Sequence, residues 1–202
     1  MSNVLAVALL RQTVKKNQPS AVFLGLSQDL SKLNSLVRSK AGEFVRFACR
    51  QTASVLEDKP VHGKFDQNMD FIVHGLKCGK LCMVVISNQA YPIQTANRLM
   101  KKQVQDVMGR LPTGWAGLEV DSNNVDLKLE LAEYKTDSGS QLNQLQVELD
   151  ETKQLVFDNI QGMMQRNRKL DEIVADSEDL SAMAKEFAND TKKLARCRCF
   201  GM

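Results

Sequence analysis

The most regular hydrophobic pattern of this chain lies in its last third. From Leu142 to Leu194, apolar and small residues recur alternately every three and four positions, which is typical of a coiled-coil seam rather than of a globular helix face. One of the sixteen seam positions is charged, and it is Arg166. The other fifteen seam positions are Leu142, Leu145, Leu149, Thr152, Val156, Asn159, Met163, Leu170, Ile173, Ser177, Leu180, Ala184, Phe187, Thr191 and Leu194.

A continuous helix over this segment would be a rod roughly 80 Å long. Burying Arg166 in its seam costs several kcal/mol unless acceptors on other helices meet the guanidinium. Two copies of the chain would place Arg166 against Arg166, which is unfavourable without counter-charges. The pattern therefore predicts a helix that joins a heteromeric bundle, and that has little stability by itself.

The chain before the seam has the pattern of an α+β domain. One helix is predicted over Lys40–Asp58 and ends before Pro60, and a second begins at Pro92, where the missing N–H costs nothing. The five predicted strands are Asn3–Arg11, Ala21–Leu26, Val61–Asp66, Asp70–Leu76 and Lys80–Ser87. A five-stranded antiparallel sheet with helices on both faces is the expected packing.

The remaining segments of this domain carry weaker signals. Gln18-Pro19-Ser20 predicts a turn, Ser27–Arg38 and Leu111–Asn124 predict loops, and Val125–Tyr134 predicts a short helix. The buried stripe predicted for the first helix is Ala41, Phe44, Phe47, Ala48 and Val55. The stripe predicted for the second helix is Ile93, Ala96, Leu99, Met100, Val104, Val107 and Met108.

Composition narrows the classes of function. The net charge is only +3 with 25% charged residues, which is too balanced to suggest nucleic acid as the main partner. Five cysteines in no regular framework indicate free thiols in a reducing compartment. The longest apolar run, Val4–Leu10, is far shorter than the roughly 20 residues that span a bilayer, and it predicts a buried strand.

Candidate catalytic and metal-binding residues are sparse. His74, Cys78 and Cys82 form the only His/Cys cluster, and their spacing matches no common zinc site. His62 stands apart from them in the sequence. No phosphate loop, nucleophile elbow or carboxylate pair is present, so we expect no enzyme activity, no metal and no cofactor.

The C-terminal residues predict lipidation. Cys199 stands fourth from the end, which is the prenylation pattern, and the final Met202 favours farnesyl. Cys197 could carry palmitate or a second prenyl group. The nearby basic residues favour an anionic membrane surface. These residues are Lys192, Lys193, Arg196 and Arg198. Gly201 departs from the pattern, since that position usually carries an aliphatic residue.

Four segments carry a resemblance to a known family. Met164–Glu172, with Arg166 near its start, and Gln146–Lys153 resemble the R-SNARE motif. Glu43–Phe47 and the strand-to-helix turn Val84–Pro92 are similar to a longin domain. Together with the predicted prenylation, the chain most resembles a lipid-anchored longin-type R-SNARE of Golgi and endosomal–vacuolar traffic.

The resemblance implies a domain order and a mechanism. It implies a profilin-like longin domain at 1–136, a linker at 137–140, a SNARE motif at 141–196 and a lipidation tail at 197–202. The SNARE helix would zip with three Gln-SNARE helices to fuse vesicles in ER–Golgi or endosomal–vacuolar traffic. Arg166 would then donate to three glutamine side chains, since guanidinium carries five donors and no acceptor. The chain would divide between the cytosol and the cytoplasmic face of Golgi, endosomal, vacuolar or vesicle membranes.

The resemblance also implies that the SNARE helix and its lipid fold back on the longin domain before assembly. Phe44 and Phe47 are then candidates for lining a hydrophobic groove that shelters the lipid, and simple core packing is the alternative role for both. The alternative function is a coiled-coil tether or scaffold at membranes that does not fuse them.

Overall fold

The computed structural model describes residues 4–31, 35–65, 71–127, 170–175, 177 and 180–186. Five strands form one antiparallel sheet in the order β2-β1-β5-β4-β3. The strands are β1 (Val4–Lys15), β2 (Gln18–Gln28), β3 (Val61–Lys64), β4 (Phe71–Cys78) and β5 (Leu81–Asn88). The helices are α1 (Ser35–Val55), α2 (Ile93–Met108) and α3 (Leu170–Ala175), and Trp115–Gly117 forms a 3-10 turn. The predicted α+β fold is therefore confirmed.

The two helices of the first domain cover opposite faces of the sheet. β5 is the central strand, as its continuous apolar run predicts, and its alternate side chains enter two hydrophobic clusters. Cys82, Val84 and Ile86 face α1, whereas Met83 and Val85 face α2. The sheet is thus buried on both sides.

The β1–β2 hairpin is longer than predicted, and its turn lies elsewhere. Lys16 and Asn17 connect the strands with φ of 49° and 61°, the left-handed pair required by a two-residue turn whose twist matches the strands. Pro19 lies within β2 opposite Val14, so the turn predicted at residues 18–20 is wrong. Pro19 is tolerated because β2 is an edge strand.

Helix α1 also begins earlier than the sequence suggests. The prediction of a loop over Ser27–Arg38 is wrong at both ends, since β2 continues to Gln28 and α1 starts at Ser35. Leu30, Leu33 and Leu36 have helical spacing, but the polar and Ser-rich composition of this segment favours a loop. Near the start of α1, Arg38 Nη2 donates a hydrogen bond to Ser31 O at 3.1 Å.

Helix α2 confirms most of its predicted stripe. The exceptions are its two ends: Ile93 is only partly buried, and Met108 is 59% exposed because the helix ends there and Val107 takes the last buried position. Two polar residues, Asn97 and Gln103, lie on the buried side without having been predicted. The stripe of α1 is confirmed for Phe44 and Phe47, which are buried.

The segment after α2 covers the outer edge of β2. Ser122 N–H donates to Phe23 O at 3.0 Å, and Val125 N–H donates to Leu24 O at 2.9 Å. Asp121 accepts from Phe23 N–H and from Arg50 Nη2, at 3.0 and 2.7 Å. These contacts block strand pairing with another chain at Phe23 and Leu24. Residues 125–127 are not helical, so the short helix predicted from Val125 does not begin there.

The C-terminal part of the predicted rod is not one continuous helix. α3 ends at Ala175, residues 177, 180 and 181 are not helical, and residues 182–186 form a further helical turn. Within the described part of the chain, no helix is both long and apolar enough to cross a membrane.

We predict that Gly25→Ala destabilises the domain by about 1–3 kcal/mol, the usual effect of overpacking. A Cβ at position 25 would meet Val125 O at 2.3 Å and force the covering segment away from β2. Gly117→Ala is the matched control, because nothing lies within 4 Å of its Cβ. Chemical denaturation measures both variants, and equal midpoints would contradict the prediction.

Candidate functional site

The candidate site is the surface of the first domain against which the C-terminal segment packs. Val174, Leu180 and Ala184 retain only 3%, 5% and 0% of their exposure. They belong to the same hydrophobic cluster as α1 and one face of the sheet, and Ile173 packs against it. Two predicted seam positions, Leu180 and Ala184, are thus buried against the domain of the same chain, whereas at 173–174 the buried side chain is Val174 beside the seam residue Ile173.

Four aromatic rings form the most compact part of this cluster. Phe44 lies 5.9 Å from Phe47, 5.8 Å from Phe65 and 6.2 Å from Phe71, measured between ring centroids. The rings of Phe47 and Phe65 are 5.9 Å apart and nearly perpendicular. Such tilted and edge-on pairs contribute about 0.5–1.5 kcal/mol beyond area burial. Phe44 and Phe47 therefore take part in core packing, and their role in sheltering a lipid stays a prediction.

A carboxylate on α1 caps the helical turn at 182–186. Ser181 Oγ accepts from Ala184 N–H at 3.2 Å, as an N-cap hydroxyl does. In a capping box, a Glu three residues after the cap would reach back to the cap N–H, but position 184 is alanine. Glu43 Oε2 of α1 accepts from Ser181 N–H instead, at 3.0 Å. The first domain thus completes the cap of the C-terminal segment.

The two helical pieces of this segment are also joined to each other. Lys185 Nζ donates to Ala175 O at 2.6 Å, which satisfies a carbonyl at the end of α3 and places a cation there. Ser177 N–H donates to Val174 O at 3.4 Å. These contacts stabilise a bent arrangement that a continuous helix would lose.

A cavity of about 700 Å³ opens beside the cap. Arg38, Glu43 and Arg46 lie on its wall together with serines of the β2–α1 connection. Arg46 is also 3.5 Å from the carboxylate of Asp121 and lies over the ring of Phe23.

Sequence reasoning missed a buried polar chain beneath α2. His62 and His74 are cross-strand partners, with their Nδ1 atoms 2.8 Å apart, so the apparent isolation of His62 is wrong. His74 Nε2 lies 2.9 Å from Ser87 Oγ, which donates to Asn88 O. The Ser87 oxygen therefore accepts from His74, and His74 Nδ1 accepts from His62 Nδ1–H. Both rings are neutral in this arrangement.

The pKa values of both histidines are lowered. Burial lowers the pKa of His62 to about 4, and the Asn97 side chain partly offsets the shift. Burial and the neighbouring His62 lower the pKa of His74 to about 3. Protonating His74 at Nδ1 would place two N–H groups against each other, whereas protonating His62 would put a charge at its buried Nε2. The pair is thus a neutral part of the core.

The sheet separates the three members of the His/Cys cluster. His74 lies on the α2 face of the sheet, Cys82 on the α1 face, and Cys78 is exposed at the end of β4. Burial raises the pKa of the Cys82 thiol to about 12, so it remains protonated. No group of metal ligands is found among the described residues.

Many predicted site residues lie outside the described residues. They include Arg166, Cys197 and Cys199, together with ten seam positions. These positions are Leu142, Leu145, Leu149, Thr152, Val156, Asn159, Met163, Phe187, Thr191 and Leu194. Leu170 begins α3, and Ser177 is half-buried.

Known proteins resemble the C-terminal segment and also nearly the whole chain. The Synaptobrevin family model matches residues 141–201. Synaptobrevin homolog ykt6 of Schizosaccharomyces pombe is 28% identical, over 95% of this chain and 96% of its own length. VAMP-like protein YKT61 of Arabidopsis thaliana is also 28% identical, over 96% and 97%. Synaptobrevin homolog YKT6 of Saccharomyces cerevisiae is 30% identical, over 88% and 90%.

The longin-like α+β domain and the Synaptobrevin segment that follows it define a longin-type R-SNARE, which is not an enzyme. Within that class, the chain belongs to the YKT6 family of synaptobrevin homologs, the SNAREs of vesicle fusion.

We predict that acid destabilises this protein through the His62–His74 pair. Unfolded histidines titrate near 6.5 and the native pKa values are lower, so the unfolded chain binds more protons below that pH. The free energy of unfolding should therefore fall by up to about 1.4 kcal/mol per histidine and pH unit as pH drops from about 6.5 to 5. Chemical denaturation at several pH values measures the slope.

The control removes both titrating groups. His62→Gln/His74→Gln should flatten the profile in this window, since the chain has only these 2 histidines. A flat profile in the unaltered protein would contradict the prediction.

Proposed function

We propose that the chain supplies one helix to a parallel four-helix bundle with three Gln-SNARE helices. The proposed motif is 141–196, after a longin domain at 1–136 and a linker at 137–140. Its support is the unbroken seam and the Synaptobrevin match over 141–201. Arg166 would donate to three glutamine carbonyls in the central layer, and the other seam side chains would be buried around it.

We extend the proposal to the membrane and the transport step. Cys199 would carry farnesyl and Cys197 palmitate or a second prenyl group, and the surrounding basic residues of 192–198 would add electrostatic attraction. The chain would act on the cytoplasmic face of Golgi, endosomal or vacuolar membranes and exchange with the cytosol. The family membership supports this assignment.

The fold-back of the SNARE segment is proposed to be autoinhibitory. The observation that carries it is the burial of Leu180 and Ala184 in the cluster of the first domain. A four-helix bundle would have to bury the same two side chains against partner helices. One side chain cannot be buried in both places, so docking on the domain and assembly with partners exclude each other.

The free energy of docking is small enough for assembly with partner helices to reverse it. Burying a Leu or Val side chain contributes about 1.5–3 kcal/mol. Ordering the backbone costs about 1–2 kcal/mol per residue. The few contacts of Val174, Leu180 and the Ser181 cap therefore make docking marginal, and a complete bundle with its long seam can displace it.

We predict that Glu43→Ala accelerates assembly with the three Gln-SNARE helices by about fivefold. The variant removes the acceptor of Ser181 N–H, and losing a cap of this type costs about 1 kcal/mol. Because Glu43 lies outside the SNARE motif, the finished bundle should be equally stable. Stopped-flow fluorescence of labelled partner helices measures the rate.

Two further variants sharpen this experiment. Glu43→Gln keeps an acceptor and should stay near the unaltered rate. Glu57→Ala removes an exposed carboxylate just beyond the opposite end of α1 and should not change it. Unchanged assembly by Glu43→Ala would contradict autoinhibition through this contact.

We predict that Arg166→Gln lowers the melting temperature of the four-helix complex. The central layer of Arg166 and three glutamines would then lose the guanidinium group and its five N–H donors. A Gln→Arg change in one partner should restore part of the loss. Arg168→Gln, with the same loss of charge outside the seam, is the control. Circular dichroism follows the melting. A stable homodimer that ignores the partners would favour the tether instead.

A further inference from the structure

One end of the sheet gathers an unusual share of the positive charge of the chain. Gln12 N–H donates to Lys80 O at 3.0 Å, and the pairing of β1 with β5 ends next to it. β1 continues to Lys15 with only β2 as its neighbour. The tip of the β1–β2 hairpin therefore extends beyond the other strands, and it carries Lys15 and Lys16.

The end of α1 arrives at the same place. Gln12 Nε2 donates to Ala53 O and to Leu56 O, both at 2.8 Å. The ammonium group of Lys77, at the end of β4, lies 3.4 Å from the carboxylate of Asp58. Lys59 follows directly in the sequence and is exposed. Three connections of the fold thus meet at one end of the domain.

We call this surface the basic end, and it consists of Lys15, Lys16, Lys59, Lys77 and Lys80 with the carboxylates of Glu57 and Asp58. Its formal excess of positive charge equals the +3 of the whole chain, so the rest of the molecule is balanced. Val14 lies beside the hairpin turn with 67% of its surface exposed. An apolar side chain among lysines is the chemistry of a membrane-surface contact.

We propose that the basic end binds the anionic surface of a lipid bilayer, with Val14 entering the headgroup layer. Each lysine held near such a surface contributes about 1 kcal/mol of attraction. The exposed valine and the work of this family at membranes favour a bilayer over a nucleic acid or an acidic protein. The inference does not depend on autoinhibition or on lipidation.

The basic end is placed so that the docked form of the chain can contact a membrane. Glu43 and the end of α1 at Val55 are separated by about 18 Å along the helix. With the C-terminal segment docked, four of the five lysines of the basic end are exposed within the described part of the chain: Lys15, Lys16, Lys59 and Lys80. A chain in the docked form could touch an anionic membrane weakly before its lipid and SNARE helix engage.

The test uses the full chain without lipid modification, together with vesicles. Flotation compares phosphatidylcholine vesicles with vesicles that also hold about 30 mol% phosphatidylserine. We expect binding only to the anionic vesicles, and loss of binding near 0.5 M salt, where screening lengths fall to roughly 4 Å. Binding to both kinds of vesicle, or binding that survives high salt, would overturn the proposal.

Matched double variants locate the surface. Lys15→Gln/Lys16→Asn should lower partitioning at least about tenfold, given about 1 kcal/mol for each lysine. Asn is chosen at position 16 because the backbone there has a φ of 49°. Lys40→Ala/Lys64→Ala removes the same charge far from the basic end and should have a much smaller effect. If both double variants lose the same amount of vesicle binding, the effect depends only on net charge, and the proposed site is wrong.

Two further variants separate other sources of binding. Val14→Ser should weaken partitioning a few-fold without changing its salt dependence. Replacing Lys192, Lys193 and Arg196 by alanine measures the basic tail. If the tail variant abolishes binding while the hairpin variant keeps it, the proposal is wrong. It is equally wrong if duplex RNA or an acidic polypeptide binds the chain and the vesicles do not.

Discussion

The structure depends on one constraint, which is that an apolar seam has to be buried and each of its side chains can be buried only once. Leu180 and Ala184 show the consequence, since they lie in the same cluster as Phe44 and Phe47 of the first domain. Two side chains that a helical bundle would have to bury are thus already buried within the chain. In the proposed autoinhibition, the longin domain would take the place of partner helices at these two positions, and the two would compete for the same face.

Competition of this kind requires the docked state to be weak. The C-terminal segment docks as two short helical pieces with non-helical residues between them, instead of one long helix. Its helix cap is incomplete without Glu43, so the segment takes its local order from the domain. Partner helices that bury the whole seam would allow one continuous helix to form. Ser181 would then lie inside that helix and would not need Glu43 as a cap. Opening and helix formation are therefore coupled.

The rest of the domain provides a rigid frame for this exchange. The sheet is buried on both faces, and its β2 edge is closed by the segment around Asp121. Beneath α2, the neutral His62–His74 pair links two strands through hydrogen bonds. The basic end lies away from the docking surface, so docking on α1 and contact with a membrane would use separate parts of the domain.

The sequence by itself determined what depends on local periodicity: the sheet, both helices of the domain and the family motifs. Prediction from the sequence failed for features that depend on contacts between distant residues or on competing local signals. The turn at Lys16 and Asn17 was hidden by the stronger proline signal of Pro19, and the pairing of His62 with His74 depends on strand register. The sequence gives only a weak sign of the cap that Glu43 supplies to Ser181: position 184 is alanine, where a capping box would have glutamate. Periodicity shows that a seam has to be buried, but only the tertiary structure decides which surface buries it, because burial depends on neighbours more than a hundred residues away.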